Sequence, residues 1–148
     1  MSIHEAFMRR CLELARIALY EGDAPVGSLV VRHGQIIAEG VEGVKAQQDV
    51  TWHAEIDAVR KACRALGTLD LKDCTLYTNV EPCVMCSYAI RQTGISQVVI
   101  GMETASLGGV SSAYAILSDS TIPGWGSPPV VVTDILKEEC LQLRSRYS

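Results

Sequence analysis

The sequence predicts an α/β layered domain. Two short apolar runs joined by a tight turn stand near the start, and helical and strand-like segments then alternate to the end. The chain of 148 residues is 48% hydrophobic and 20% charged, which is enough apolar material for a packed core and too little charge for a disordered chain. All 148 residues read as one domain, since no repeat, low-complexity tract or long linker divides them.

Residues 2–21 carry Ile3, Phe7, Cys11, Leu14, Ala15 and Ala18 at spacings of three and four, the pattern of an amphipathic helix, with Gly22 as its stop. Residues 26–32 and 35–39 flank His33-Gly34 and read as a hairpin, followed by an irregular stretch over residues 40–49. Thr51 is expected to cap a helix over 52–66 that stops at Gly67. Residues 74–79 form a β-type run, Pro82 opens a helix ending near Gly94, and 97–101 is a Val- and Ile-rich strand. Beyond a Gly-containing loop, 111–117 is expected to be a short helix and 123–129 a turn-rich loop. A strand over 130–132 and a closing helix over 136–145 complete the chain.

The net charge is −4 and the pI about 5.3, so a broad electrostatic grip on nucleic acid is not expected. The first residues lack the charged-then-apolar design of a secretory signal, and no apolar run is long enough to span a bilayer; a cytoplasmic protein is expected. Cys11, Cys63, Cys74 and Cys140 show no motif spacing and read as reduced packing residues.

The chemistry lies in His53-Ala54-Glu55 and, thirty positions on, Pro82-Cys83-Val84-Met85-Cys86. Each word is ordinary alone, yet both fall where a helix begins. Two thiolates and one neutral imidazole suit Zn²⁺ and leave its fourth position for a water or hydroxide. The positive end of a helix favours the thiolates. Glu55, two residues past His53, is placed near the metal without being needed as a ligand and can accept a proton from the bound water and return it. Two other readings are a closed structural zinc site, with Cys74 or Cys63 as fourth ligand, and a redox-active cysteine pair that would leave His53 and Glu55 unexplained.

These words resemble the signature of zinc-dependent nucleobase deaminases. Asp23-Ala24-Pro25-Val26-Gly27, Leu76-Tyr77, Glu81-Pro82-Cys83-Val84-Met85-Cys86 and Val98-Val99-Ile100-Gly101 extend the resemblance to the cytidine and deoxycytidylate deaminase superfamily, in its free-base and tRNA adenosine branch. The resemblance implies a three-layer α/β/α fold with a central mixed five-stranded sheet and one Zn²⁺ per chain, held by His53, Cys83 and Cys86. It also implies a catalytic Glu55 and a homodimer.

The branch usually has an asparagine about eleven residues before the metal histidine, where this chain has Glu42. An ionised glutamate only accepts hydrogen bonds, so Glu42 in the pocket would favour a donor-rich substrate edge. Otherwise it is a solvated loop residue. Trp52 stands beside the metal histidine, as pocket floor or as core. Tyr114 and Trp125 are candidates to cover the substrate or to pack; Ala54 completes the expected substrate contacts. The expected activity is hydrolytic deamination of a small heterocyclic amine such as cytosine, guanine, an aminotriazine or a pterin. The alternative is adenosine-to-inosine deamination of tRNA, which the slight positive excess of residues 136–148 does little to favour.

Overall fold

The computed structural model describes residues 2–104 and 106–147. Helix α1 (Ile3–Tyr20) precedes the hairpin β1 (Gly27–Arg32) and β2 (Gln35–Val41), then α2 (Ala54–Leu66), β3 (Cys74–Val80), α3 (Val84–Thr93), β4 (Gln97–Met102), β5 (Val130–Val132) and α4 (Lys137–Arg144). The strands form one sheet in the order β2-β1-β3-β4-β5. Strand β1 is antiparallel to both neighbours, whereas β3–β4 and β4–β5 are parallel, so the sheet is mixed.

Three layers follow from the period-two alternation of the strands. Val30, Leu76, Val98 and Ile100 join Ala58, Val59, Ala62 and Ile90 of α2 and α3 in one core. Their neighbours Leu29, Tyr77 and Val99 face the other way, onto Met8, Cys11 and Leu12 of α1 and Cys140 and Leu143 of α4. Burying each Leu, Ile, Val or Met of this kind contributes about 1.5–3 kcal/mol, and both faces of the sheet are covered.

Local chemistry sets the element ends. Ser2 and Glu5 form a reciprocal capping box on α1: Ser2 Oγ accepts from Glu5 N at 3.1 Å and Glu5 Oε1 accepts from Ser2 N at 3.0 Å. His33 and Gly34 have φ of 52° and 77°, the paired positive values of a two-residue hairpin turn. All six cysteines are free thiols, with Cys11, Cys74 and Cys140 buried, as packing residues require. No helix among the described residues is long and apolar enough to cross a membrane.

Three expectations change. Strand β2 runs on to Val41, so Gly40 lies in a strand and not in a loop. A side chain is missing there because the strand meets α2 closely: a Cβ on Gly40 would fall on the Ala54 carbonyl oxygen and 2.6 Å from Ala58 N. Helix α2 begins at Ala54 with His53 as its N-cap residue, and the Thr51 hydroxyl donates to Asp49 Oδ1 at 2.7 Å instead of capping the helix. Residues 111–117 form turns and no helix. There Ser112 Oγ accepts from Tyr114 N at 3.0 Å and donates to the Gly108 carbonyl, offering the backbone local partners in place of a helical ladder.

Because the β2–α2 approach has no room for a methyl group, Gly40→Ala is expected to lower stability by about 2 kcal/mol. Chemical denaturation of the two proteins side by side checks this, and an unchanged midpoint would refute the close packing.

Candidate metal centre and recess

The C-terminal ends of the parallel strands, where open α/β sheets place their ligands, bring the two motif words together. His53 precedes α2 and Cys83 precedes α3 as N-cap residues, and Cys86 lies in the first turn of α3. His53 Nδ1 stands 3.5 Å from Cys83 Sγ and 3.5 Å from Cys86 Sγ. Tetrahedral zinc, with bonds of about 2.3 Å to sulfur and about 2.0 Å to nitrogen, holds such atoms roughly 3.5 Å apart. The donor set therefore fits zinc. Among the described residues the cluster ends at these three, so neither Cys74 nor Cys63 closes it.

The three donor groups act strongly on one another's protonation. The hydrogen bond from Cys86, with help from His53, holds the Cys83 thiol down at about 4. The same Cys83–Cys86 hydrogen bond, reinforced by burial, pushes Cys86 well above its ordinary value. The Cys83 hydrogen bond raises His53 to about 9 against the opposing effect of burial.

A recess of about 330 Å³ opens beside the cluster, with His53, Cys83, Glu42 and Glu55 in its wall. Glu55, only 4% exposed in the first turn of α2, has its carboxyl raised to about 8 by burial and then by the charge of Glu42, with His53 opposing. Glu42 also has its pKa raised by burial, countered by His53 and by the Ala54 amide. Glu42 Oε1 accepts from Ala54 N at 2.8 Å, in effect capping α2 from a distant strand end; Oε2 takes no hydrogen bond from a described residue.

Ala54, Trp52, Tyr114 and Trp125 take different places. Ala54 is fully buried and meets Glu42 through its amide. Trp52 packs against Gly43 with Arg60 5.3 Å above its ring, and it lines a separate recess on the far side of Glu42. Tyr114 is 58% exposed and is absent from the wall of the metal recess. Trp125 pairs with Tyr88 at 5.6 Å and donates to Gln92 at 3.0 Å. It lines a larger hollow, about 800 Å³, that shares no residue with the metal cluster.

Several wall residues were not anticipated: Thr104, Ser106 and Leu107 after β4, and Arg144 from α4. Asn79, buried at the end of β3, accepts from Gly27 N at 2.8 Å and donates to the Pro25 carbonyl at 2.9 Å, fixing the Ala24–Val26 side. Two polar residues, Asn79 near the end of β3 and Glu81 just after it, were the signal that could have found this end of the site.

A model of the cytidine and deoxycytidylate deaminase zinc-binding region matches residues 1–102. A tRNA-specific adenosine deaminase of Aquifex aeolicus (strain VF5) is 39% identical over 118 residues, covering 80% of this chain and 78% of that protein. A guanine deaminase of Bacillus subtilis (strain 168) is 48% identical over 88 residues, 59% of this chain and 56% of that protein. Among solved structures, a tRNA deaminase studied for A-to-I editing at the wobble position superposes with a TM-score of 0.86 at 33% identity. It covers 93% of this chain and 98% of its own. A mutant of NE0047 in complex with 8-azaguanine gives 0.82 at 27% identity, over 97% and 83%.

With its pKa lowered to about 4, Cys83 remains a thiolate down to that pH, while Cys86 and Cys63 are raised. In zinc-stripped protein, iodoacetamide should alkylate Cys83 ahead of the other cysteines at about pH 6, at a rate that falls only near pH 4. Zinc should suppress the reaction; mass spectrometry finding another cysteine modified first would contradict this protonation pattern.

Proposed function

The chain belongs to the cytidine and deoxycytidylate deaminase family, and from that premise we propose that it hydrolyses the exocyclic amino group of a small nucleobase-like heterocycle, with His53, Cys83 and Cys86 holding one zinc ion and Glu55 moving the protons. The observation that carries this reading is Glu55, buried in the wall of the recess next to a zinc-sized donor set of which it is not a member. Zinc bound there would supply the Lewis acid that makes water a nucleophile near neutral pH.

The overall change adds water across the amidine carbon and expels ammonia. Glu55 takes a proton from the attacking water and delivers it to the ring nitrogen. It then carries the second proton, from the new hydroxyl, to the amino group as the carbon–nitrogen bond breaks. Burial raises the Glu55 carboxyl and so makes it a stronger base, and a zinc ion beside it would favour the ionised form that accepts the proton of water.

Glu42 supports a preference among rings. With Oε1 occupied by Ala54 N, Oε2 is left to accept from a substrate N–H, so a donor-rich edge such as that of guanine, an aminotriazine or a pterin is favoured over a row of carbonyls. The same reading treats residues 1–148 as one deaminase domain acting in the cytoplasm as a homodimer.

A second reading, adenosine within tRNA, is favoured by Arg144. It reaches the recess from α4, and its guanidinium lies 5.2 Å over the Tyr147 ring, with Lys45 Nζ 5.0 Å from the same ring. Two cations beside a recess can meet backbone phosphate while the base enters.

Ammonia release across free bases, aminotriazines, aminopterins, nucleosides and a tRNA anticodon stem-loop separates the readings. Release from a free heterocycle supports the first, and release from the stem-loop alone, abolished by Arg144→Ala, supports the second. Glu55→Gln should keep its zinc and lose at least about 100-fold in kcat; near-parent turnover would remove Glu55 as proton carrier. Glu42→Gln should lower the preference for donor-rich rings by about tenfold or more in relative kcat/KM, and an unchanged ranking would remove Glu42 from substrate selection.

A further inference from the structure

The carboxylate of Glu81 has a coordination shell that the deamination chemistry leaves unused. The residue is 3% exposed and stands two positions before Cys83. Oε1 accepts from Thr104 N at 2.8 Å, and Oε2 accepts from Val110 N and Ser111 N, both at 2.7 Å. The Ser111 hydroxyl lies 2.6 Å from both Glu81 Oε1 and the Thr104 carbonyl oxygen, with one proton to give to either. No Lys or Arg among the described residues forms an ion pair with Glu81, so neutral donors alone hold the carboxylate.

Those donors come from one stretch of chain, Thr104 and residues 106–111, which supplies Thr104, Ser106 and Leu107 to the recess wall. Two further links tie this stretch to the ligand-bearing segment. Gly108 pairs with Cys83 in an isolated antiparallel bridge, and Gly109 N donates to the Pro82 carbonyl at 2.8 Å. The loop passes so near that a Cβ on Gly108 would collide with the Glu81 carboxylate.

We propose that Glu81 is a positioning residue: its carboxylate fastens the loop of Thr104 and residues 106–111 onto the segment that carries Cys83 and Cys86, and so sets the spacing between the metal ligands and the opposite wall of the substrate recess. The inference rests on that recess being the substrate site. Glu81 leaves the metal alone and makes no contribution to proton movement. Loosening it should therefore weaken substrate binding and leave zinc in place, since a wall displaced by an ångström loses contacts made only in a fixed geometry.

Glu81→Gln tests this in the full-length zinc-loaded protein. A carboxamide keeps the shape but turns one acceptor into an NH2 group facing two donors. Ser111→Ala is the second variant; at an exposed position it removes one bond to the carboxylate and leaves the protein able to fold. Hydrogen exchange reads the fastening without any substrate. The Thr104, Val110 and Ser111 amides should lose protection by about tenfold or more in Glu81→Gln, and by less in Ser111→Ala, with zinc content at the parent level.

With whichever substrate the ammonia panel identifies, KM should rise by about tenfold and kcat fall much less. Unchanged protection of all three amides in both variants would overturn the proposal. So would a loss of zinc that accounts for the whole loss of activity. If no substrate in the panel is turned over, the assignment of the recess fails, while the exchange result still decides whether Glu81 holds the loop.

Discussion

The structure depends on the convergence of two helix N-termini. Helices α2 and α3 start side by side at one end of the sheet, and each delivers a metal-ligand candidate at its N-cap position. Both helix dipoles point their positive ends at the cluster, where thiolates and carboxylates are otherwise expensive to bury. The sheet makes the meeting possible. β3 and β4 lie parallel and adjacent, so α3, which connects them, must begin at the end of β3. Helix α2 is brought to the same end by β2, through the tight approach at Gly40.

Around that convergence the protein has concentrated negative charge with few cations of its own. Glu42, Glu55 and Glu81 all line the recess. Asp57, 3% exposed on the next part of α2, takes Val41 N and Lys61 Nζ on one oxygen and leaves the other without a partner. Burial raises Glu55 and Glu42, and the charge of Glu42 raises Glu55 further. A divalent cation held by His53, Cys83 and Cys86 is the natural counter-charge. Its electrostatic effect would fall on Glu55 and Glu42, the carboxyls of the recess wall.

The recess is assembled from widely separated pieces: the segment before β1, the end of β2, two helix starts, the loop after β4 and the last turn of α4. Buried polar side chains hold these pieces in register. Asn79 ties the end of β3 to residues 25–27, and Asp23 accepts from Lys45 N at 2.7 Å and Ala46 N at 3.0 Å to pin the following turn. Such bonds contribute about 1.5–3 kcal/mol when one partner is charged, and leaving a buried partner unmatched costs as much again. The recess wall is thus built largely from loops that rigid elements and buried polar side chains position together.

Periodicity was enough to determine the helices α1, α2, α3 and α4 and the five strands, while the two motif words and their resemblance to the deaminase signature pointed to the grouping of His53, Glu55, Cys83 and Cys86. Each of those features is written in short stretches: apolar residues every third or fourth position, alternation in the strands, or ligand types at a helix start. Tertiary structure decided the rest. It placed Gly40 inside a strand, turned residues 111–117 away from a helix and aimed Trp52 into a different recess. It also brought Arg144 to the metal side and gave Glu81 its four donors. At 111–117 the local hydrogen bonds of Ser112 compete with a helix, and the other outcomes depend on contacts between residues distant in the chain, which no local period records.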